Sequence, residues 1–224
     1  MSNCQVQTAI NMINWEVAAE LPSSADSPHI GVAGPIAGVI DGKLIVAGGA
    51  NFPKGMPWEG GIKHYQKDAY IYSLDDGKVI LDRQVPFPDS LAYSANASAN
   101  DYLYTIGGER NGSATADVFR YSFVKNSLHR DILPSLPLPL TNASAVFLKD
   151  RLYLVGGENS DIVSQNVYVL DLRDAEPSWE LFFAMPNPLT HTMIVSDGRE
   201  NIWIAEDVCE MQMTRATYTV MSIV

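Results

Sequence analysis

Residues Gly31–Tyr72, GVAGPIAGVIDGKLIVAGGANFPKGMPWEGGIKHYQKDAYIY, hold a hairpin, a glycine doublet and a long loop that leads into a further apolar run. Pro35–Ile40 and Leu44–Ala47 are separated by Asp41-Gly42, a dipeptide that accepts the positive φ angles of a tight hairpin turn. The second run ends at Gly48-Gly49. Ala50–Lys67 then leads to DAYIYSL, a turn at Asp75-Asp76-Gly77, and a run VILDRQVPFP stopped by prolines, which cannot donate to a strand ladder. Four strands with such connections make one small antiparallel sheet.

The same order of elements recurs. LAYSANAS, a turn at Ala99-Asn100-Asp101, YLYTIGG, DVFRYSF and LHRDILPSLP form a second copy, with the short loop RNGSAT in place of the long one. NASAVFL, a turn at Lys149-Asp150, RLYLVGG, NVYVLDL and WELFFAMP form a third, in which Trp179 and Pro186 echo Trp15 and Pro22. Gly107 and Gly156 are 49 residues apart, and a further 49 falls on Ala205 in NIWIAED, which aligns without a gap and opens a fourth copy. The first interval, 59 from Gly48 to Gly107, is longer by the excess in the loop after Gly49.

Four strands per unit at this period is the signature of a propeller blade. The expected fold is an all-β propeller of about four blades in one domain over residues 1–224, with blades over 35–88, 90–137, 142–186 and 189–224. Rings of this kind are commonly closed by strands from the two chain ends, which assigns Trp15–Leu21 as a closing outer strand. The fourth unit lacks its doublet, and Val208–Arg215, VCEMQMTR, has no blade pattern, so the reading is a shortened version of a larger propeller.

Lys and Arg number 15 against 26 Asp and Glu, and the formal charge of -11 repels phosphate backbones and anionic lipid surfaces. Nucleic acid and membrane are therefore poor partners. Cys4 and Cys209 stand apart without metal-ligand spacing, and His29, His129 and His191 are isolated, so no metal site is read. IGGERNG lacks the Lys-Ser/Thr of a phosphate loop and no cofactor is indicated. The first residues show no basic segment followed by an apolar run, which fits a cytoplasmic chain and equally one given without its leader, so location stays open.

The doublet after an apolar run, an aromatic in the third strand and a Trp near the fourth resemble the kelch repeat. GVAGPIAGVIDGKLIVAGGANFPKGMPW resembles the corresponding blade of the bacterial N-acetylneuraminate (sialic acid) mutarotases, six-bladed kelch propellers, in the branch whose blades are cyclically permuted. The likeness covers about Trp15–Asp207, with the first blade specific and the others generically kelch. The resemblance implies interconversion of sialic acid anomers by a Glu base with an Arg nearby, without metal or cofactor, and a periplasmic alternative for location. That Glu and Arg would lie on a blade after the fourth unit, and no such segment occurs among these residues.

Repeat symmetry places Ala50, Glu109, Glu158 and Asp207, each following a doublet position, at equivalent places around one axis. Such carboxylates can serve the repeat by accepting backbone hydrogen bonds, or one of them, crowded by like charge, can exchange protons. Glu109 is the candidate acid/base, with Arg110 beside it to hold an acidic sugar through a two-pronged contact. The long loop adds Asn51, Phe52, Lys54, Trp58 and His64 as candidate sugar contacts, accompanied by Lys63 and Tyr65; packing of the aromatics onto a neighbouring blade is the alternative. Tyr93, at an inner strand, is a further candidate. The competing function is a non-enzymatic kelch module that holds a protein or carbohydrate, or self-associates through an incomplete propeller.

Overall fold

The computed structural model describes residues 16–23, 29–99, 101–125, 127–208 and 217–223. In the first blade, β1 (Ile36–Ile40) and β2 (Lys43–Ala47) form the hairpin. The short strands β3 (Ala50–Asn51) and β4 (His64–Tyr65) pinch the base of the long loop, which carries a 3-10 turn at Pro57–Glu59. β5 (Asp68–Asp75) and β6 (Lys78–Pro86) complete a sheet of order β1-β2-β5-β6. The second blade holds β7 (Ala95–Ala99), β8 (Tyr102–Ile106), the small pair β9 (Glu109–Arg110) and β10 (Ser113–Ala114), β11 (Val118–Val124) and β12 (Ser127–Leu133), with sheet order β7-β8-β11-β12. The third is β13 (Ser144–Leu148), β14 (Arg151–Val155), β15 (Asn166–Asp171) and β16 (Trp179–Ala184), again in sequential order. The fourth sheet has three described strands, β17 (Met193–Ser196), β18 (Ile202–Val208) and β19 (Thr217–Ile223).

The turns behave as their residues dictate. Ile40 pairs with Lys43 across Asp41 (φ 50°) and Gly42 (φ 70°), two left-handed residues whose twist matches that of the flanking strands. Asp76-Gly77 and Lys149-Asp150 repeat the arrangement. Asp75 belongs to its strand, opposite Lys78, so that turn is one residue shorter than its sequence suggested.

Inner strands β1, β7, β13 and β17 pack side by side in chain order, and an apolar layer fills each gap between sheets. Ile36, Ile45 and Ile71 of the first blade meet Leu103 and Phe119 of the second. Ala95, Ala97 and Tyr104 of the second meet Leu152 and Leu154 of the third. Val155 and Val167 of the third meet Ile204 of the fourth. Each fully buried Leu or Ile contributes about 1.5–3 kcal/mol, so these layers rather than the strand ladders hold blade to blade.

The glycine doublets are joints between blades. Gly49, Gly108 and Gly157 donate their N–H to Leu91, Leu140 and Leu189 O of the following blade, at 2.9, 2.7 and 2.8 Å. A Cβ on Gly48, Gly107 or Gly156 would lie 2.5, 2.3 or 2.2 Å from those same carbonyl oxygens, and all three have positive φ. Trp179 also joins blades, its Nε1–H donating to Pro134 O at 2.9 Å.

Two expectations are corrected. Glu16–Pro22 forms no strand; the Tyr72 hydroxyl of the first blade donates to Glu20 O at 3.4 Å, a side-chain contact and not a strand ladder. Trp15 lies outside the described residues. The fourth copy is also out of phase by one. Met193 pairs with Ala205, whereas its counterpart Ser144 pairs with Val155, because the turn around Asp197–Asn201 is longer than Lys149-Asp150. Glu206-Asp207 therefore occupy the doublet positions, and Val208, not Asp207, corresponds to Glu158. Residues 209–215 of the unpatterned tail lie outside the described residues, whereas Val208 ends β18.

Candidate functional site

The blades meet around a common mouth built from one left-handed residue per blade. Gly34 (φ 56°), Tyr93 (φ 55°), Asn142 (φ 55°) and His191 (φ 54°) stand just ahead of the four inner strands. Tyr93 N–H donates to Gly34 O at 2.9 Å, Asn142 N–H to Tyr93 O at 3.0 Å, and His191 N–H to Asn142 O at 3.0 Å. Beside this ladder, Ala50, Glu109 and Glu158 each form an antiparallel bridge with the residue before the left-handed one, respectively Ala33, Ala92 and Thr141. Repeat geometry thus brings the post-doublet side chains and the left-handed side chains to one place.

Glu109 is the most heavily engaged group there. Its Oε1 accepts from Lys63 Nζ at 2.6 Å and from the Tyr65 hydroxyl, both carried over from the long loop of the first blade. Tyr65 Oη in turn accepts the Gly112 N–H at 2.7 Å, so the loop is tied to the second blade at two points. Burial, reinforced by the hydrogen bond to Glu109, pushes the Tyr65 phenol up to about 12. Lys63 Nζ lies 5.0 Å from the Tyr93 ring centroid, a cation–π distance. The nearest charge to Glu109 is therefore a cation and not another carboxylate, which replaces the like-charge crowding expected from the repeat.

One blade on, Glu158 accepts from Asn142 Nδ2 at 2.8 Å and lies 3.7 Å from His191 Nε2. Glu109, Asn142, Glu158, Asn159 and Asp161 line a polar cavity of about 500 Å³ between the second and third blades. A second cavity, about 560 Å³, opens between the chain entering the first blade and the long loop, and is lined by Ile30, Val32, Phe52, Pro53 and Met56 among others. Among the described residues, no three His, Cys, Asp or Glu side chains are arranged for a metal ion, and no helix is long and apolar enough to cross a membrane.

The sequence candidates separate into groups. Glu109 and Tyr93 stand together at the mouth. Arg110 does not join them: it alternates to the other side of β9 and lies 3.1 Å from Asp117 and 3.6 Å from Asp89. Asp89 is 4% exposed and also takes Arg130 at 2.5 Å and the Tyr121 hydroxyl at 2.8 Å, which makes this cluster a buried charge network. Burial and Asp89 raise the Tyr121 phenol far above its ordinary value. Asn51 braces the loop base, donating to Gly31 O at 2.9 Å and accepting from Gln66 at 2.8 Å. Phe52 lines the apolar cavity. Lys54 and His64 are exposed, and Trp58 is 80% exposed, so the loop aromatic that stands out in the sequence packs on no neighbouring blade.

Lys63 and Tyr65, which accompany the loop candidates in sequence, and Asn142 and His191, which are not candidates there, also stand at the mouth. The spacing of 49 from Tyr93 to Asn142 and again to His191 was the available signal.

No protein-family model matches the chain. Over 117 residues it is 35% identical to an N-acetylneuraminate epimerase of Brucella suis, a match covering 47% of this chain and 29% of that protein. It is 36% identical over 116 residues to N-acetylneuraminate epimerase 1 of Escherichia coli O6:H1, with the same coverages. A Haemophilus influenzae N-acetylneuraminate epimerase is 28% identical over 113 residues, covering 45% of this chain and 28% of that protein. The chain thus spans less than a third of the curated relatives it matches. Among solved structures, that titled "Structure of YjhT" superposes with a TM-score of 0.61 at 16% identity, over 86% of this chain and 65% of that one. The fold is accordingly a kelch-type β-propeller, and over about half of its length the chain is similar in sequence to bacterial proteins that bear the name N-acetylneuraminate epimerase.

Proposed function

We propose that the mouth between the first and second blades binds an acidic sugar of the N-acetylneuraminate type and that the chain acts on its anomers as a mutarotase. The observation that carries this reading is the cluster of Lys63, Tyr65 and Glu109 beside the Tyr93 ring, set in a chain whose relatives bear the name N-acetylneuraminate epimerase. Opening a pyranose hemiketal needs a proton taken from the anomeric hydroxyl and a proton given to the ring oxygen. Glu109 is suited to both: it takes the hydroxyl proton as the ring C–O bond breaks and the carbonyl forms, and delivers a proton to the freed ring oxygen. Reclosure on the other carbonyl face gives the second anomer. Lys63 is the cation for the sugar carboxylate, and the Tyr93 ring offers a face to the apolar side of the sugar. Tyr65, with its raised phenol, stays a hydrogen-bond donor that orients Glu109.

Proton NMR of freshly generated alpha-anomer, with and without protein, tests this. Exchange above the buffer rate that is lost in Glu109→Gln is the expected result, and Lys63→Met weakens binding of the acid by tenfold or more while sparing its methyl ester. Exchange at the buffer rate with stoichiometric protein refutes the activity. The alternative, a non-enzymatic module that binds protein or carbohydrate, is favoured by one observation, the exposed apolar side chains Trp58 and Ile62 on the long loop.

A further inference from the structure

The second and third blades solve one packing problem in two ways. In the third blade Leu138, Leu154, Leu170 and Trp179 belong to the apolar layer against the second blade, and Trp179 pairs with Leu170 across β15 and β16. Moved back by the repeat interval of 49, the corresponding residues of the second blade are Asp89, Thr105, Tyr121 and Arg130. The backbone is the same, since Arg130 pairs with Tyr121 across β11 and β12. Here, however, the buried Asp89 carboxylate accepts from the Tyr121 hydroxyl at 2.8 Å and from Arg130 Nη1 at 2.5 Å. The third blade shows that apolar residues can fill these positions, and replacing a buried ionic cluster by apolar packing is often neutral or stabilising. Packing alone therefore does not call for the charges.

The residue that follows each post-doublet position indicates what they serve. Asn51 donates through Nδ2 to Gly31 O at 2.9 Å, and Asn159 donates to Pro139 O at 3.0 Å. Each acceptor stands two residues before the bridge partner of the post-doublet residue, Ala33 in one case and Thr141 in the other, so this is one anchor made twice. In the second blade the position belongs to Arg110, which engages carboxylates instead. Its Nη2 is buried 3.6 Å from Asp89 Oδ1, an ion-pair distance too long for a hydrogen bond, and its Nη1 lies 3.1 Å from Asp117 Oδ2. The load on the adjoining carboxylate differs in step. Glu158 accepts from Asn142 of its own blade, whereas Glu109 accepts from Lys63 and Tyr65, both carried on the long loop of the first blade. Movement of that loop pulls directly on β9, a strand of only two residues.

We infer that Arg110 is a positioning residue for Glu109, held from below by the buried Asp89. In this role it contacts no substrate. Asp89 comes from the link between β6 and β7 and Asp117 from the residue ahead of β11, so the guanidinium braces β9 against two separate elements. A single amide-to-carbonyl bond, as at Asn51 and Asn159, braces it against one. A carboxylate that takes a proton from one sugar oxygen and returns one to another has to keep its place to about 0.5 Å. Displacement by about 1 Å costs about a hundredfold in rate. The inference rests on the reading of Glu109 as the acid/base.

The test compares wild type with Arg110→Asn, which installs the anchor used by the first and third blades, and with Asp89→Asn. Proton NMR of anomer exchange over a range of sugar concentrations separates kcat from KM. The phenol titration of Tyr65, taken as the difference between each protein and its Tyr65→Phe counterpart, reports without reference to activity whether Glu109 still accepts that hydroxyl. In Arg110→Asn kcat is expected to fall by about tenfold or more with KM changed by less than about twofold. The Tyr65 titration is expected to move down from about 12 toward its ordinary 10, and Asp89→Asn shifts both readouts in the same direction. Should Asp89→Asn fail to fold, Arg110→Asn decides alone, because Asp89 keeps Tyr121 and Arg130 there. Unchanged kcat and an unchanged Tyr65 titration in Arg110→Asn overturn the inference, whatever happens to its urea midpoint. If wild type exchanges anomers only at the buffer rate, the sugar reading falls, and the Tyr65 titration by itself decides whether Arg110 positions Glu109.

Discussion

Replacing Gly107 by Ala separates two roles that glycine plays in this chain when it is compared with the same change at Gly42. Both residues have positive φ, 61° and 70°, so each substitution places an L side chain in the left-handed region at a cost of about 1–2 kcal/mol. At Gly42 nothing lies within 4 Å of the new Cβ, and that cost is the whole effect. At Gly107 the Cβ would lie 2.3 Å from Leu140 O and 3.3 Å from Thr115 O. Leu140 must then retreat, and the bond it accepts from Gly108 N–H at 2.7 Å is weakened or lost, which adds about 0.5–1.5 kcal/mol before any loss of packing between the second and third blades. The expected destabilisation is about 3 kcal/mol for Gly107→Ala against about 1 kcal/mol for Gly42→Ala, measured by urea unfolding, from a total that for most domains is only about 5–15 kcal/mol. In thermal unfolding the gap of about 2 kcal/mol corresponds to about 4–8 °C in Tm for a chain of this size. Equal losses for the two variants would refute the assignment of the doublets as joints.

Two other measurements follow from the site and its frame. Tyr65 has a folded-state phenol near 12 against an ordinary 10, so the folded chain holds its proton more tightly: this contribution to stability is full below pH 10 and lost as pH rises toward 12. Denaturation midpoints across that window should fall less steeply in Tyr65→Phe than in wild type. Trp179→Phe removes the donor to Pro134 O while keeping a large ring, and should cost about 1 kcal/mol in urea unfolding; a neutral result would mean that the bond adds nothing to the joint between the second and third blades.

The repeat was legible because it is written in residues whose conformational needs are narrow. Asp41-Gly42 specifies a two-residue turn, and Gly48-Gly49, Gly107-Gly108 and Gly156-Gly157 mark places where no Cβ fits. Alternation and prolines did the rest for the first three blades. The fourth was misaligned by one because a gapless match between NIWIAED and RLYLVGG-Glu158 counts letters, whereas register is set by turn length, and the turn at Asp197–Asn201 is longer. Arg110 faces away from Glu109 for a related reason: neighbours in a strand point apart, so adjacency in sequence sets the two on opposite sides of β9. Lys63 lay 46 residues from Glu109, and only the path of the long loop over the next blade brings them together. No local pattern encodes such a crossing. Tyr93, by contrast, could have been extended to Asn142 and His191 by the same interval that defined the blades.

The ladder of Gly34, Tyr93, Asn142 and His191 has a consequence for how such a mouth can change over time. Its rungs are joined through main-chain N–H and C=O groups, so at Tyr93, Asn142 and His191 the frame does not depend on which side chain the rung carries, provided the residue tolerates a φ near 55°, whereas a Cβ at Gly34 would lie 2.8 Å from Tyr93 N. One rung is bare, one aromatic, one an amide and one an imidazole, all on the same backbone. New binding chemistry can therefore be tried one rung at a time without renegotiating the architecture. The present set is one hand dealt from a deck that the fold leaves free to be reshuffled.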